Sequence, residues 1–214
     1  MREALKLTLT TAAANLPLSL NEVKTQLRVE TDQVDEDALL MALIRSAVEQ
    51  CEQFTGRALI TQTWTLFRDA WPRVFETEAV EGVRTAPVLE GAARSIDLPR
   101  PPLQVVSFVK IYDESDTAVT WDAANYFVDT ASEPGRLVAR SGRSVPVPGR
   151  DANGIEIRFT AGFGDDPDTV PEAIRQGLMQ MVMHLYEHRG DMPSTARQDS
   201  GALPLWRPYR ILTL

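Results

Sequence analysis

The chain has 214 residues, 43% of them hydrophobic and 24% charged, which suits one large or two small domains with a core that needs no staples. Its 30 acidic and 22 basic side chains leave a formal net charge of −8, which argues against a broad basic grip on nucleic acid but allows an acidic wall past which DNA slides. The single cysteine, Cys51, excludes an intrachain disulfide and a cysteine zinc cluster, and its place in an apolar helical pattern makes it a core residue.

No apolar run approaches the roughly 20 residues of a membrane span, and Lys6 interrupts what a signal peptide would need, so an origin in the cytoplasm and no membrane partner are expected. Residues 1–16 carry little pattern and read as extended or loosely docked. Ser19 and Glu22 have capping-box spacing, so a short helix opens at Ser19 and presents Leu20, Val23 and Leu27 on one face. Residues 30–37 then hold five acids, Glu30, Asp32, Asp35, Glu36 and Asp37. Asp32 or Asp35 is the expected cap of the next helix, whose first turn favours negative charge.

The second helix spans about 36–55, with Leu40, Leu43, Ile44, Ala47, Val48, Cys51 and Phe54 as its buried stripe and Gly56 as its stop. Leu39 and Met41 lie off that stripe and ask for a second surface to cover them. The middle of the chain changes to strand chemistry. Thr61–Phe67, Gln104–Tyr112, Ala118–Trp121, Tyr126–Val128, Arg136–Val138 and Ile155–Thr160 read as strands. Residues 73–94 read as a long loop, Ser95–Leu103 as a proline-rich edge segment, and 140–153 as a mobile loop with Arg140, Arg143 and Arg150 as candidate phosphate contacts. A last long helix starts near Pro171, carries Ile174, Leu178, Met181, Val182 and Leu185 inward, and can end at Gly190. Beyond Pro193 the chain turns polar and then apolar and basic, and its two prolines predict an extended tail, either tucked against its own domain or, the reading favoured by the polar stretch before it, handed to another protein. The fold class is therefore α+β. Residues 17–58 plus 169–190 form a helical core, 60–164 an inserted antiparallel β domain, and 191–214 an extended C-terminal tail.

One string invites a catalytic reading. His184-Leu-Tyr-Glu187-His188 matches the H-x-x-E-H pattern of zinc hydrolases, in which two histidines one turn apart hold the metal and the glutamate is the general base. Such enzymes take a downstream glutamate as third ligand, and here only Asp191 and Asp199 follow. No phosphate-cradling glycine loop and no nucleophile elbow occurs. The acidic cluster Asp165, Asp166 and Asp168 reads as helix-start chemistry. No cofactor and no metal is called for.

The order of features resembles a known family. Leu18–Arg28 leads to the acidic turn, then Asp37–Ala47, then Phe54-Thr-Gly-Arg-Ala-Leu-Ile-Thr-Gln-Thr-Trp64; Leu98-Pro-Arg-Pro-Pro-Leu103, Asn125-Tyr126, Phe159–Gly164, Val170-Pro171 and His184–Gly190 continue it. Together they resemble the head–tail connector (adaptor) proteins of long-tailed bacteriophages and of gene transfer agents. The resemblance implies a structural protein, not an enzyme, that forms a ring of about twelve copies between the portal and the tail or stopper. It would be made in the bacterial host cytoplasm and end at the head–tail junction of the particle, lining a conduit for double-stranded DNA without specific binding. It makes Leu203, Leu205, Trp206, Pro208, Tyr209 and Arg210 candidates for portal docking and Leu39, Met41, Met179 and Met183 candidates for subunit packing. Glu30, Asp32, Asp35, Glu36 and Asp37 are candidates to face the conduit. Residues 73–94 exceed the common form of the family. Rival readings are the zinc hydrolase of His184, Glu187 and His188, and another joining protein such as a stopper or tail-completion factor.

Overall fold

Ser19 caps the first helix as its spacing predicts. Its hydroxyl accepts from the amide of Glu22 at 3.2 Å, and the Glu22 carboxylate accepts from the amide of Ser19 at 2.7 Å. Such a reciprocal cap stabilises a helix start by about 1 kcal/mol. The computed structural model in which this is seen describes residues 6–76, 79–80, 83–84, 88–92, 94–188 and 193–211, and their side chains outside 73–93 and 193–194.

The chain divides into two units. The helical unit takes Ala12–Gln62, Arg100–Pro102 and the chain from Ala161 onward. It contains α1 (Leu20–Leu27), α2 (Asp37–Thr55), α3 (Glu172–Glu187), α4 (Pro193–Asp199) and α5 (Ala202–Trp206), followed by a turn of 3-10 helix over Arg207–Tyr209. Its core joins the α2 stripe of Leu40, Ile44, Ala47 and Cys51 to the α3 stripe of Ile174, Leu178, Met181 and Val182, all fully buried. Leu43, Val48 and Phe54 are only half-buried. Gly56, at φ +74°, ends α2 in the left-handed conformation that glycine adopts without strain. Pro171 is the residue just before α3, one place earlier than the sequence suggests.

The β unit takes β1 (Lys6–Thr11) with Thr63–Pro99 and Leu103–Thr160. Its strands after β1 are β2 (Gln62–Arg68), β3 (Arg73–Glu76), β4 (Ala79–Val80), β5 (Val83–Arg84), β6 (Val88–Ala92), β7 (Ser95–Leu98), β8 (Leu103–Tyr112), β9 (Ala118–Thr120), β10 (Tyr126–Asp129), β11 (Gly135–Ala139) and β12 (Ile155–Ala161). One sheet has the order β1-β2-β12-β8-β9, and a second has β10-β11-β7. Inward side chains include Leu66, Val109, Ile157 and Phe159 from the first sheet, and Ile96, Leu98 and Leu137 from the second. The indoles of Trp71 and Trp121 meet edge-on with centroids 5.3 Å apart, and Tyr126 lies 5.2 Å further along.

Three expectations change here. Residues 6–11 are extended, as one of the two expected readings has it, but firmly paired: the alternating, threonine-rich Lys6-Leu-Thr-Leu-Thr-Thr11 pairs antiparallel with β2, so this segment supplies an edge strand and the β unit is not a simple 60–164 insertion. Within the expected loop over 73–94, the described residues include paired strands, β3 with β6 and β4 with β5. The C-terminal tail is not extended. Pro204 falls in the first turn of α5, where amides have no intrahelical partner, and Pro208 falls at the start of the 3-10 turn, so neither proline breaks a bond. The stop expected at Gly190 lies outside the described residues, and the last described helical residue of α3 is Glu187.

Candidate interaction surfaces

The C-terminal segment is clasped by the helical unit. Trp206 is fully buried beside Gly177, where an added methyl would overlap the indole nitrogen, and that nitrogen donates to the carbonyl of Ile174 at 3.3 Å. Phe54 flanks the indole at 6.4 Å, and the guanidinium of Arg210 lies 5.3 Å from the Phe54 ring. Arg57, itself buried, donates from Nε to the carbonyl of Tyr209 at 2.6 Å, and the amide of Ile211 donates to Thr55 at 2.8 Å. Trp206 is thus a core anchor and cannot dock a portal, which corrects its assignment. Leu203, Leu205 and Tyr209 are half-buried, and Pro208 and Arg210 are exposed.

The two most family-specific strings explain themselves in the same unit. In the Phe54–Trp64 run, Arg57 holds the C-terminal segment. Glu52, just before that run, accepts from the amide of Leu59 at 2.9 Å and from the side-chain amide of Gln62 at 2.7 Å. Burial raises the Glu52 carboxyl above its usual range despite those donors and Arg100. In the proline run, Arg100 donates to the carbonyl of Glu52 at 3.0 Å, Pro101 accepts from Ala58 at 3.2 Å, and Pro102 accepts from Gly162 at 2.9 Å. Cys51 is fully buried, and burial with the neighbouring Glu52 carboxylate pushes its thiol far above its ordinary value.

The acidic turn has an anchor that pattern reading missed. Lys24 in α1 is 2% exposed, and its ammonium donates to the carbonyls of Gln33 at 2.7 Å and Thr31 at 3.2 Å while pairing with Asp37 at 2.5 Å. The hydroxyl of Tyr186 donates to Glu36 at 2.6 Å. These bonds displace the expected cap: Glu36 precedes α2 without capping it through its side chain, and neither Asp32 nor Asp35 does so. Asp37 and Glu36 are half-buried and engaged by Lys24 and Tyr186, while Glu30, Asp32 and Asp35 are exposed around Val34, itself 66% exposed. A lysine one turn inside α1, four residues from Arg28, was the available signal, but lysines are so seldom buried that it reads as surface.

Of the subunit-packing candidates, Leu39 is 37% exposed, while Met41, Met179 and Met183 are half-buried. Met41 lines a cavity of about 520 Å³ with Leu16, Leu18 and Leu20. Among the phosphate candidates, Arg150 is occupied: its guanidinium lies 3.9 Å from the Tyr112 ring and donates to the carbonyls of Ala152 and Asn153. Arg140 and Arg143 remain exposed. Asp166 caps a 3-10 turn over Pro167–Thr169 and Asp168 pairs with Arg175 at 3.2 Å, whereas α3 itself starts after Pro171 without a side-chain cap, so the expected capping is met only at the short turn before it.

His184 and His188 stack face to face with centroids 4.4 Å apart, and a ring nitrogen of His188 lies 3.2 Å from the carbonyl of His184. Asp191 lies outside the described residues, and among the described residues no group of three His, Cys, Asp or Glu side chains is placed to hold a metal. No helix among them is long and apolar enough to cross a membrane.

Known proteins repeat this arrangement. Residues 17–116 match the family described as phage gp6-like head-tail connector protein. Over its whole length the chain is similar to three solved chains. One is from the neck of an empty gene transfer agent particle computed with C6 symmetry, at 26% identity, TM-score 0.72, covering 97% of this chain and 96% of that one. The second, from the virion of a native gene transfer agent particle, is 23% identical with TM-score 0.74, covering 98% and 97%. The third, from the neck of a native particle computed with C12 symmetry, is 23% identical with TM-score 0.69, covering 97% and 96%. No curated protein sequence matches the chain. The likeness to the connector family thus spans 100 of the 214 residues, and the likeness to the neck chains spans nearly all of them.

Proposed function

We propose that the chain is the adaptor that joins portal to tail or stopper at the head–tail junction, assembling as a ring of about twelve copies around the passing DNA. The observation that carries this reading is the whole-length likeness to a neck component at 26% identity, together with the connector match over residues 17–116. The acidic balance of the chain suits passage of DNA without retention. Assembly in the host cytoplasm before incorporation at the junction belongs to the same reading.

Within it, the half-buried Leu203, Leu205 and Tyr209 and the exposed Pro208 and Arg210 form the portal-docking face, and buried Trp206 positions them. Leu39, Met41, Met179 and Met183 serve subunit packing. The clasp at Trp206 sets how the face is tested, because removing residues 203–214 would strip the core. Leu205→Asp with Arg210→Glu leaves Trp206 in place and should abolish retention of portal protein in a pull-down, with the thermal melt monitored. Undiminished portal binding by the folded variant would refute this face. Micrographs of particle necks lacking a ring of this chain would refute the adaptor reading itself.

A further inference from the structure

Arg94 builds a basic corner in an acidic protein. It lies just before β7, and its Nη2 donates to the carbonyls of Arg140 and Arg143. The amide of Arg143 also donates to Arg140 at 3.1 Å, which closes a tight turn with Gly142 at φ +75° and open space around it. The corner therefore holds three exposed arginines, and among the described residues none of them has a carboxylate partner. Beside it the backbone of Arg140 bonds to Asn125, two residues from Phe127, whose ring is 54% exposed. An unbalanced cation cluster next to an exposed aromatic ring is complementary to an anion that carries apolar surface.

We infer that this corner binds a second copy of this chain through the copy's acidic turn. That turn presents Glu30, Asp32 and Asp35 around exposed Val34, which matches three arginines around Phe127. Both sides are held in shape before they meet, the corner by Arg94 and the turn by Lys24 and Tyr186, so little ordering entropy opposes contact. A DNA backbone is also anionic, but it offers nothing for Phe127 to pack on, whereas Val34 does. Because the two patches are different surfaces, the contact is heterologous and propagates from copy to copy, as a ring requires. This inference deepens the ring reading and rests on it for its setting.

Two one-sided variants of the full chain test it: Asp32→Lys with Asp35→Lys, and Arg140→Glu with Arg143→Glu. All four side chains are exposed, so both variants should fold, which circular dichroism checks. Wild-type self-association, followed by sedimentation, should weaken with salt. Each variant alone should need at least about tenfold more protein to associate. An equal mixture should associate again, since each reversed turn then meets a reversed corner. Either variant associating like wild type, a mixture that stays apart, or a wild-type chain monomeric at every concentration would overturn the contact. So would unchanged association of the Arg140→Glu, Arg143→Glu variant with lost retention of duplex DNA, which would give the corner to nucleic acid. A missing ring in particle necks would instead sink the adaptor reading while leaving a restored mixture intact.

Discussion

The indole of Trp206 covers Gly177 so closely that a single methyl at that position would displace it, and its nitrogen bonds to the carbonyl of Ile174 one turn earlier in α3. Alanine in a helix interior normally gains about 1 kcal/mol over glycine. Here the sign should reverse: Gly177→Ala overpacks the core and should cost about 2 kcal/mol. Trp206→Ala, which empties the site, should cost about 3–5 kcal/mol. Urea unfolding of the full chain measures both, and a stabilised Gly177→Ala would contradict the packing.

The Lys24 anchor makes an asymmetric prediction. Asp37→Ala leaves a buried ammonium with two carbonyls and no counter-charge, and should cost about 3 kcal/mol. Lys24→Met keeps the stem volume and removes the charge, so global stability should fall less. Its mark should be local, as faster hydrogen exchange of amides in residues 31–37.

Glu52 gives a pH dependence of definite sign. Burial raises its folded pKa above the 4.5 of an unfolded glutamate. Between the two values the native state binds more protons than the unfolded chain, so its contribution to stability falls as pH rises through the folded pKa and is fully present below 4.5. Glu52→Gln retains an oxygen for Leu59 and Gln62 and should flatten this part of the stability profile. Asp129 acts oppositely. Ser132 and Arg136 hold its carboxyl down at about 2, so its contribution is present above its unfolded value of 3.8 and lost as pH falls towards 2. Denaturant midpoints across the acid range, compared with Asp129→Asn, separate the two.

The stacked histidines should be chemically silent. Chelator treatment should leave the melt and self-association of the protein unchanged, and His184→Ala should do the same. Stoichiometric zinc that disappears with His184→Ala would contradict this.

Local rules made much of the fold legible. The Ser19–Glu22 box, the Gly56 stop and the central residues of the α2 and α3 stripes depend on residues one turn apart and appear as the sequence suggests, while Leu43, Val48, Phe54 and Leu185 are only half-buried. What stayed hidden depends on distant partners. The Lys6–Thr11 strand is decided by β2, far along the chain, although its alternation was visible. The helical course of the last residues is hidden because a proline breaks no bond in the first turn of a helix, and because the small residue that admits Trp206 sits in α3. The acid candidates were chosen by charge alone, whereas a buried lysine in the preceding helix decides which of them stay exposed.

Cys51 has a practical consequence for mapping an assembled neck. The thiolate is the form that attacks thiol reagents, and this one sulfur is buried with its ionisation strongly suppressed. The wild-type chain therefore supplies its own blank background. A cysteine placed at Asp35 in one population and at Arg143 in another would then supply the readily ionised thiols for a disulfide or a short thiol cross-linker, and neighbouring copies could be surveyed pair by pair without first rebuilding the core.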